Sequence, residues 1–347
     1  MRKSIIRKGI DGFLITSLRN IRYLTGFKGS SAYILITKSR NIFVTDSRYK
    51  EEAEGNIKGW DIVIEKGRRL RTLMALVKNV GIRNLGFEST VSYEFFEGIS
   101  KSGITLKPLR GAVERLRVVK DAGEVRLIGE AVERAEKALL DIKPYIREAS
   151  RERAIALMLE ERLKKRGCNN IPFDIIVASG INSAMPHARA SEKRLAAGDL
   201  VVIDWGGEAG GYFSDITRTF LIKGGKEIRR KKEIYSTVLK ANREAVAAVK
   251  HGIATKAIDE AARAVIRSSG YGRFFGHGTG HGVGLEVHEL PRISGASAEM
   301  LRSNMVFTIE PAIYMPGLGG VRVEDMILVT EETPYVMTKL PKRLEII

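Results

Sequence analysis

Three histidines lie close together in residues 274–289, which read FFGHGTGHGVGLEVHE, in a chain that has five histidines. His277 and His281 have the spacing of the two metal ligands in H-E-x-x-H, the helical signature of zinc peptidases. That signature is absent, because HELPR carries Arg292 where its second histidine would stand. The five glycines of GHGTGHGVG also disfavour a helix. They predict a loop in which backbone and ligand approach closely, and the roles of the histidines stay open at this point.

Four carboxylates lie in two segments that look like β-hairpins, LVVIDWGGEAGGYFSDITRTFLI and MVFTIEPAIYMPGLGGVRVEDMILVT. Residues opposite each other in an antiparallel hairpin point to the same face of the sheet. A first turn centred on residues 209 and 210 would place Asp204 opposite Asp215. A second turn centred on the first glycine of MPGLGG would place Glu310 opposite Glu324. Each hairpin is therefore predicted to hold two acids side by side.

Such pairs need an explanation, because carboxylates about 4.5–5.5 Å apart repel each other unless a cation lies between them or one is protonated. Asp204 follows LVVI and Glu310 follows MVFTI, which are typical of buried strands. Unpaired buried charges are very costly. Taken singly, each acid could cap a turn or pair with Arg218 or Arg322. Taken as two matched pairs, the acids favour a metal site.

Four carboxylates and a histidine suit two divalent ions, because oxygen-rich ligands favour Mn, Co or Fe(II) over a closed thiolate zinc site, although Zn stays possible. Two ions a few ångströms apart can activate a shared water for the hydrolysis of amides and phosphates. The sequence therefore predicts a dinuclear hydrolase.

The elements that must position these residues follow a repeated order. Helices are predicted at 121–142 and 150–166 before the first hairpin, and at 227–250 and 255–269 before the second. Two helices and a hairpin, twice over, indicate two similar halves with a site between them. Short strand-like runs such as AYILIT and NIFVTD, mixed with helical stretches, precede this repeat. We expect a small α/β domain at 1–118 and a second domain at 119–347.

Composition restricts the class of protein. The 347 residues are 44% hydrophobic and 29% charged, as in an ordinary globular protein. The single cysteine, Cys168, excludes an intramolecular disulfide, suits the reducing cytoplasm and is expected to be structural. Neither the basic N-terminal stretch MRKSIIRKGIDGFLITSLRN nor any other window has the apolar run of a signal peptide or membrane span. The net charge of +17 is spread along the chain, which favours a solvated surface over nucleic-acid binding.

Four motifs, in this order, resemble the pita-bread metallopeptidases, the family of methionine aminopeptidase, aminopeptidase P and prolidase: DWGGEAGGYFSDITRT, GHGTGHGVGLEVHE, FTIEPAIY and GGVRVEDM. NIRYLTGF and FVTDSRY resemble the creatinase-type N-terminal domain of prolidase and aminopeptidase P. The resemblance covers essentially the whole chain. It implies an α/β (α+β) fold, with a creatinase-like domain followed by a pseudo-symmetric pita-bread catalytic domain.

The resemblance also assigns residues. It implies that Asp215 and Glu324 bridge two divalent ions, and that Asp204 binds one of them. The other ion would be bound by His281 and Glu310, and Glu310 would also relay the proton of the attacking water. His288 and His187 would be substrate-contacting catalytic residues, and His277 would lie behind the ligands: the complete set of implied site residues is Asp204, Asp215, His281, Glu310, Glu324, His187, His288 and Arg292.

The implied activity is hydrolysis of the peptide bond before proline. The compact length and HELPRIS look more like prolidase, in which Arg292 would bind the free carboxylate of an Xaa-Pro dipeptide through its bidentate fork, although a surface ion pair is an alternative role. Aminopeptidase P activity on longer peptides is the second candidate. A non-catalytic binding module is the third, and the complete ligand set argues against it. The resemblance also implies a homodimer, in which the N-terminal domain of one subunit borders the active site of the other.

Overall fold

The computed structural model describes residues 8–347, so the first seven residues of the basic N-terminal stretch lie outside the described part. The chain divides into two compact units, Met1–Arg117 and Val118–Ile347. Within the described residues, no helix combines the length and the apolar character needed to cross a lipid bilayer.

The first unit is built on a six-stranded mixed sheet of order β4-β3-β2-β1-β5-β6. Side chains alternate between its faces, so Phe13 and Ile15 pack into one apolar core and Leu14 into the other. The strands are β1 (Gly12–Ile15), β2 (Ala32–Thr37), β3 (Asn41–Thr45), β4 (Asp61–Ile64), β5 (Asn84–Glu88) and β6 (Thr105–Leu109). The helices are α1 (Leu18–Thr25), α2 (Lys50–Asn56), α3 (Arg69–Asn79), α4 (Tyr93–Ser100) and α5 (Glu114–Arg117).

The second unit repeats one arrangement, as predicted: two helices precede a β-hairpin in each half. The first half contains α6 (Ala122–Ile142), α7 (Glu152–Lys165), β7 (Ile176–Ser179), β8 (Leu200–Trp205), β9 (Glu208–Ala209), β10 (Tyr212–Phe213) and β11 (Ile216–Leu221). The second half contains α8 (Ile228–Ala247), α9 (Thr255–Ser268), β12 (Gly280–Gly282), β13 (Glu289–Ile293), β14 (Val306–Ile309), β15 (Ala312–Met315), β16 (Gly319–Arg322), β17 (Asp325–Leu328), β18 (Tyr335–Val336) and β19 (Glu345–Ile346). The larger sheets have the orders β19-β11-β8-β7 and β13-β12-β14-β17-β18.

Local sequence explains where these helices begin and end. Asp121 and Glu124 form a reciprocal capping box at the start of α6, because each side chain accepts the backbone N–H of the other residue, at 2.8 and 2.9 Å. α8 is shorter than predicted. It ends at Ala247, three residues before the predicted end, and His251 lies in the turn that follows, with its Nδ1 atom 2.9 Å from the Ser303 hydroxyl.

The register of the first hairpin differs from our prediction. Asp204 on β8 lies opposite Thr217, not opposite Asp215, which stands just before β11. The reason is the turn: Gly210 and Gly211 both have positive φ angles, so the two-residue turn is centred one position later than expected. A one-residue shift of a turn moves each cross-strand partner by two positions, so the two aspartates are not a directly opposed pair.

The register of the second hairpin agrees with our prediction. Ile309 pairs with Asp325 and Ala312 pairs with Arg322, so position 310 falls opposite position 324 between two separate ladders. Both glutamates leave the ladder at this point, because their own N–H groups bond elsewhere. Glu310 donates to the Thr279 carbonyl at 2.8 Å and Glu324 to the Thr217 carbonyl at 3.2 Å.

Candidate metal centre

Two hairpins bring the four predicted carboxylates together. Asp204 stands near the end of β8 and Asp215 just before β11, while Glu310 follows β14 and Glu324 precedes β17. One candidate ligand atom each from Asp204, Asp215 and Glu324 lies within 4.8 Å of the others. The same holds for His281, Glu310 and Glu324. These two sets share Glu324, which is the geometry expected of two neighbouring cation positions. A third set joins Asp215, His281 and His288.

The charge state of this cluster is unfavourable without a cation. Burial, and then repulsion by Glu324, raise the pKa of Asp215 well above its ordinary value. Burial, and then repulsion by Glu310, raise the pKa of Glu324 in the same way. Burial is also the main cause of the raised pKa of Glu310. Within the described residues, the buried Oδ1 atoms of Asp204 and Asp215 have no hydrogen-bond partner. These residues therefore fit divalent cations, which would bind the free carboxylate oxygens and offset the repulsion between the carboxylates.

Arg322 supplies part of the compensating charge. Its guanidinium donates to Asp204 Oδ2 at 2.5 Å and to the Thr217 hydroxyl at 3.0 Å, and it also bonds the Tyr314 hydroxyl. The Thr217 hydroxyl in turn donates to Glu324 Oε2 at 2.6 Å. Asp204 therefore forms an ion pair with Arg322, which is the alternative role predicted for an acid taken singly. Among residues 8–347, Asp215, Glu310 and Glu324 have no ion pair with lysine or arginine, and the ring of His281 approaches Asp215 and Glu310 instead.

His281 presents a ring nitrogen to the cluster from β12. Its Nε2 atom lies 3.5 Å from Asp215 Oδ2 and 3.4 Å from Glu310 Oε1. Its Nδ1 atom is 3.2 Å from the Gly282 carbonyl, which can only accept, so Nδ1 carries the proton. Burial lowers the pKa of this imidazole, which favours the neutral ring. A neutral ring then points the Nε2 lone pair at two carboxylate oxygens, an arrangement suited to a shared cation.

The other predicted residues lie around this centre. The ring of His288 is exposed, and its centroid is 4.1 Å from that of His281. The side chains packed around the rest of the ring remove part of its solvation, and this desolvation, followed by the charge of a protonated His281, lowers the pKa of His288 to about 4. His187 is exposed and acts electrostatically on His288 and Glu310. Arg292 is exposed on β13, directly opposite His281 in the β12–β13 register.

His277 lies near Glu310, but its ring is held by aromatic side chains and by the backbone. Its Nδ1 atom bonds the Gly278 carbonyl at 2.8 Å, and its ring packs against Phe275 and Tyr314 at centroid distances of 5.1 and 5.7 Å. It does not belong to the clusters of candidate ligands found among the described residues. The sequence expectation that His277 lies behind the ligands therefore agrees with its surroundings.

The glycines of this loop have a different role from the expected one. A Cβ atom on Gly280 would lie 1.9 Å from the Thr308 carbonyl oxygen, and one on Gly282 would lie 2.1 Å from the Leu290 carbonyl oxygen. The close approach that these glycines permit is thus between neighbouring strands. Their contribution to the site is to let β12 pack between β13 and β14, which places His281 beside the carboxylates.

One anchor of the histidine loop was missed at the sequence level. Asp259 and Arg263 are four residues apart on α9 and pair with each other at 2.9 Å. Asp259 accepts the Thr279 N–H and hydroxyl at 3.1 and 2.8 Å, and Arg263 donates to the carbonyls of Phe275 and His277 at 3.1 and 2.8 Å. The acid-to-arginine spacing in DEAAR was a visible signal of a helical pair. Its backbone partners in the loop could not be read from the sequence.

Known proteins are similar to this chain over nearly its whole length. Residues 126–331 match metallopeptidase family M24, and residues 1–119 match the creatinase/prolidase N-terminal domain. A Xaa-Pro dipeptidase of Pyrococcus horikoshii is 40% identical over 342 residues, which cover 97% of this chain and 95% of that protein. A solved Xaa-Pro dipeptidase from Bacillus anthracis has a TM-score of 0.97 at 40% identity, covering 100% of this chain and 98% of its own. An X-Pro aminopeptidase from Thermotoga maritima has a TM-score of 0.89 at 38% identity, with 98% of both chains covered.

The chain belongs to metallopeptidase family M24 and carries a creatinase/prolidase N-terminal domain. The resemblance seen in its motifs is therefore confirmed, as is the fold that it implied, a creatinase-like domain followed by a pita-bread catalytic domain. Membership of this family implies a peptidase that binds divalent metal and acts on peptides.

Proposed function

We propose that this protein hydrolyses the peptide bond that precedes proline, with Xaa-Pro dipeptides as its substrates. Xaa-Pro aminopeptidase activity on longer peptides is the second candidate, because relatives of both descriptions match nearly the whole chain. The observation that favours the dipeptidase is the register of β12 and β13. Arg292 lies opposite His281, so its cation is on the same sheet face as a candidate metal ligand, and it is exposed to an incoming substrate.

In this proposal Asp204, Asp215, His281, Glu310 and Glu324 would hold two divalent ions. The free carboxylate oxygens, the repulsion within the cluster and the His281 lone pair support this ligand set. We assign Mn, Co or Fe to the site ahead of Zn, because four of the five ligands are carboxylates. When bound, such ions supply a water nucleophile at neutral pH and polarise the scissile carbonyl.

The remaining steps belong to side chains of the chain itself. Glu310 Oε1 lies 3.4 Å from His281 Nε2, at the edge of the cluster, where it can take the proton of the attacking water and deliver it to the leaving nitrogen. His288, exposed beside His281, donates a hydrogen bond to the oxyanion that develops on the scissile carbonyl. His187 contacts the substrate from the exposed segment that follows residues 180–184.

The geometry of Arg292 suits the free carboxylate of a dipeptide. A guanidinium binds a carboxylate through two parallel hydrogen bonds, which sets the direction of the substrate as well as its affinity. Proline offers no amide N–H, so a proline-directed site must gain its orientation from such terminal charges and from the scissile carbonyl. A longer peptide would have no carboxylate at this distance and would lose the interaction.

A substrate comparison tests the proposal. The metal-stripped protein is reloaded with Mn or Co and given a Met-Pro dipeptide, a Met-Pro-Ala tripeptide and a Met-Ala dipeptide. Cleavage of Met-Pro alone supports the dipeptidase, and cleavage of the tripeptide supports the aminopeptidase. Cleavage of Met-Ala alone contradicts a proline-directed enzyme, and salt-sensitive nucleic-acid binding without peptidase activity would support the binding-module alternative.

Two arginine variants test the role of Arg292. R292A should raise the KM for Met-Pro with a smaller effect on kcat, because the contact is made in both the ground state and the transition state. R302A is the matched control, since Arg302 is also exposed but lies outside the β12–β13 pair. Equal kinetic effects of the two substitutions would remove Arg292 from the substrate site.

We also propose a homodimer, a domain division at residue 118 and a location in the cytoplasm. The family resemblance supports the dimer, the division into the compact units Met1–Arg117 and Val118–Ile347 supports the boundary, and a single buried cysteine suits a reducing compartment. Light scattering of the purified protein tests the dimer: a mass of one chain at micromolar concentration would contradict it.

A further inference from the structure

Asn242 on α8 contacts the main chain next to both facing glutamates. The residue is fully buried, and its side-chain Nδ2 atom donates to the Ile309 carbonyl at 3.2 Å and to the Val323 carbonyl at 3.3 Å. These two carbonyls belong to the residues immediately before Glu310 and Glu324. A single amide group therefore joins the two strands at the point where they present their acids.

The regular ladder of the hairpin is interrupted where Asn242 makes this connection. β14 pairs with β17, and β15 pairs with β16, but Glu310 and Glu324 lie between the two ladders. Their N–H groups bond the carbonyls of Thr279 and Thr217 instead of bonding across the hairpin. Between the two ladders, one long main-chain bond crosses the hairpin, from the Val323 N–H to the Pro311 carbonyl at 3.5 Å. The Asn242 amide adds a donor to one carbonyl on each strand.

Lys342 fixes the orientation of the Asn242 amide. Lys342 Nζ lies 2.9 Å from Asn242 Oδ1, and an ammonium group can only donate. The Asn242 oxygen must therefore face Lys342, which leaves both amide hydrogens for the strands. The ammonium is itself held by Asp325 Oδ2 at 2.8 Å, and Asp325 is fully buried and also bonded to Arg218.

We propose that Asn242 is a positioning residue that sets the separation of Glu310 and Glu324 in the metal centre. The inference rests on the proposed function, in which both glutamates bind metal. Asn242 would act through the backbone. Its two hydrogen bonds hold one carbonyl on each strand, and these carbonyls set the backbone positions of the residues that follow them, Glu310 and Glu324. Outer partners of metal ligands typically change metal affinity by about 10- to 100-fold when they are replaced.

The test is Co²⁺ binding to the metal-stripped protein, followed by calorimetry and by the visible absorption of the bound ion. N242D is nearly isosteric and keeps the acceptor for Lys342, but it removes both donors to the strands. We expect N242D to weaken Co²⁺ binding by about 10- to 100-fold and to change the absorption band. K342M should weaken binding in the same direction because it frees the amide to rotate, and K342R should restore it.

V238A is the matched control. Val238 is fully buried on α8 one turn before Asn242, so its truncation damages the same core without touching either carbonyl. We expect V238A to lower the melting temperature while Co²⁺ binding stays as in the unmodified protein. Wild-type affinity in N242D and K342M, or equal weakening in V238A, would overturn the role of Asn242. Failure of the unmodified protein to bind Co²⁺ would overturn the proposed metal centre together with this inference.

Discussion

The Arg322 guanidinium lies 2.5 Å from Asp204 Oδ2, and both side chains are largely buried at the edge of the carboxylate cluster. Arg322 also bonds the Thr217 hydroxyl at 3.0 Å, and that hydroxyl bonds Glu324 at 2.6 Å. One arginine thus contacts, directly or through one hydroxyl, a carboxylate from each hairpin. Its cation offsets part of the charge that the acids bring together.

Replacing Arg322 with methionine should destabilise the metal-free protein more than the metal-loaded protein. Loss of one partner of a buried ion pair costs about 3–5 kcal/mol, because the other charge is left uncompensated. Bound divalent cations would offset much of that charge. Urea unfolding in chelator and in Mn measures the difference. A W60F background leaves the buried Trp205 as the one tryptophan that reports on the catalytic unit. R302M is the control, and equal destabilisation in both conditions would contradict this role of Arg322.

Replacing Asp215 with asparagine should have opposite effects on metal binding and on the stability of the metal-free protein. Burial and repulsion by Glu324 raise the pKa of Asp215, so its ionised form is unfavourable in the absence of metal. A neutral side chain of the same shape relieves that repulsion, and the melting temperature in chelator should rise. Metal binding and activity should be lost, as also in D215A and E324A. Full turnover in any of these three variants would contradict a dinuclear site.

Periodicity and turn chemistry predicted much of the catalytic unit. The repeated helices and hairpins and the facing positions 310 and 324 follow from local patterns. The choice of His281 as the fifth candidate ligand came from the family resemblance. Asp204 and Asp215 were wrongly predicted to face each other. The predicted turn lies one residue too early, and such an error shifts each cross-strand partner by two residues. Registers are this sensitive because strand side chains alternate with a period of two.

Local sequence patterns could not predict the polar contacts that support the site. Asn242 contacts carbonyls 67 and 81 residues further along the chain, and Asp259 contacts the backbone of a loop 20 residues away. The acceptors are main-chain atoms, which every residue possesses, so no side-chain pattern reveals them. The one local signal is that Asn242 stands among Val238, Ala241 and Ala245 on the buried face of α8, which indicates that a partner exists without identifying it.

Cys168 should react with thiol reagents only after unfolding. The side chain is buried, its sulfur lies 3.3 Å from the Glu208 N–H, and burial raises the pKa of the thiol. A raised pKa lowers the thiolate fraction at pH 8, and the thiolate is the reactive form. Titration with an aromatic disulfide should detect much less than one thiol per native chain and one in urea. C168S should keep its activity, and rapid labelling of the native protein with loss of activity would contradict a structural role.

Alanine variants of the three clustered histidines should separate into distinct classes. H281A should lose metal, because its Nε2 atom faces both Asp215 and Glu310. H288A should keep its metal while kcat falls by about 10²- to 10³-fold, as for the loss of one donor to a developing oxyanion. H277A should also keep its metal, since this ring packs against Phe275 and Tyr314 outside the ligand set. Metal content after desalting, measured beside kcat on Met-Pro, separates the classes. Metal loss in H288A, or full metal content in H281A, would reverse the assignment of ligand and substrate histidine.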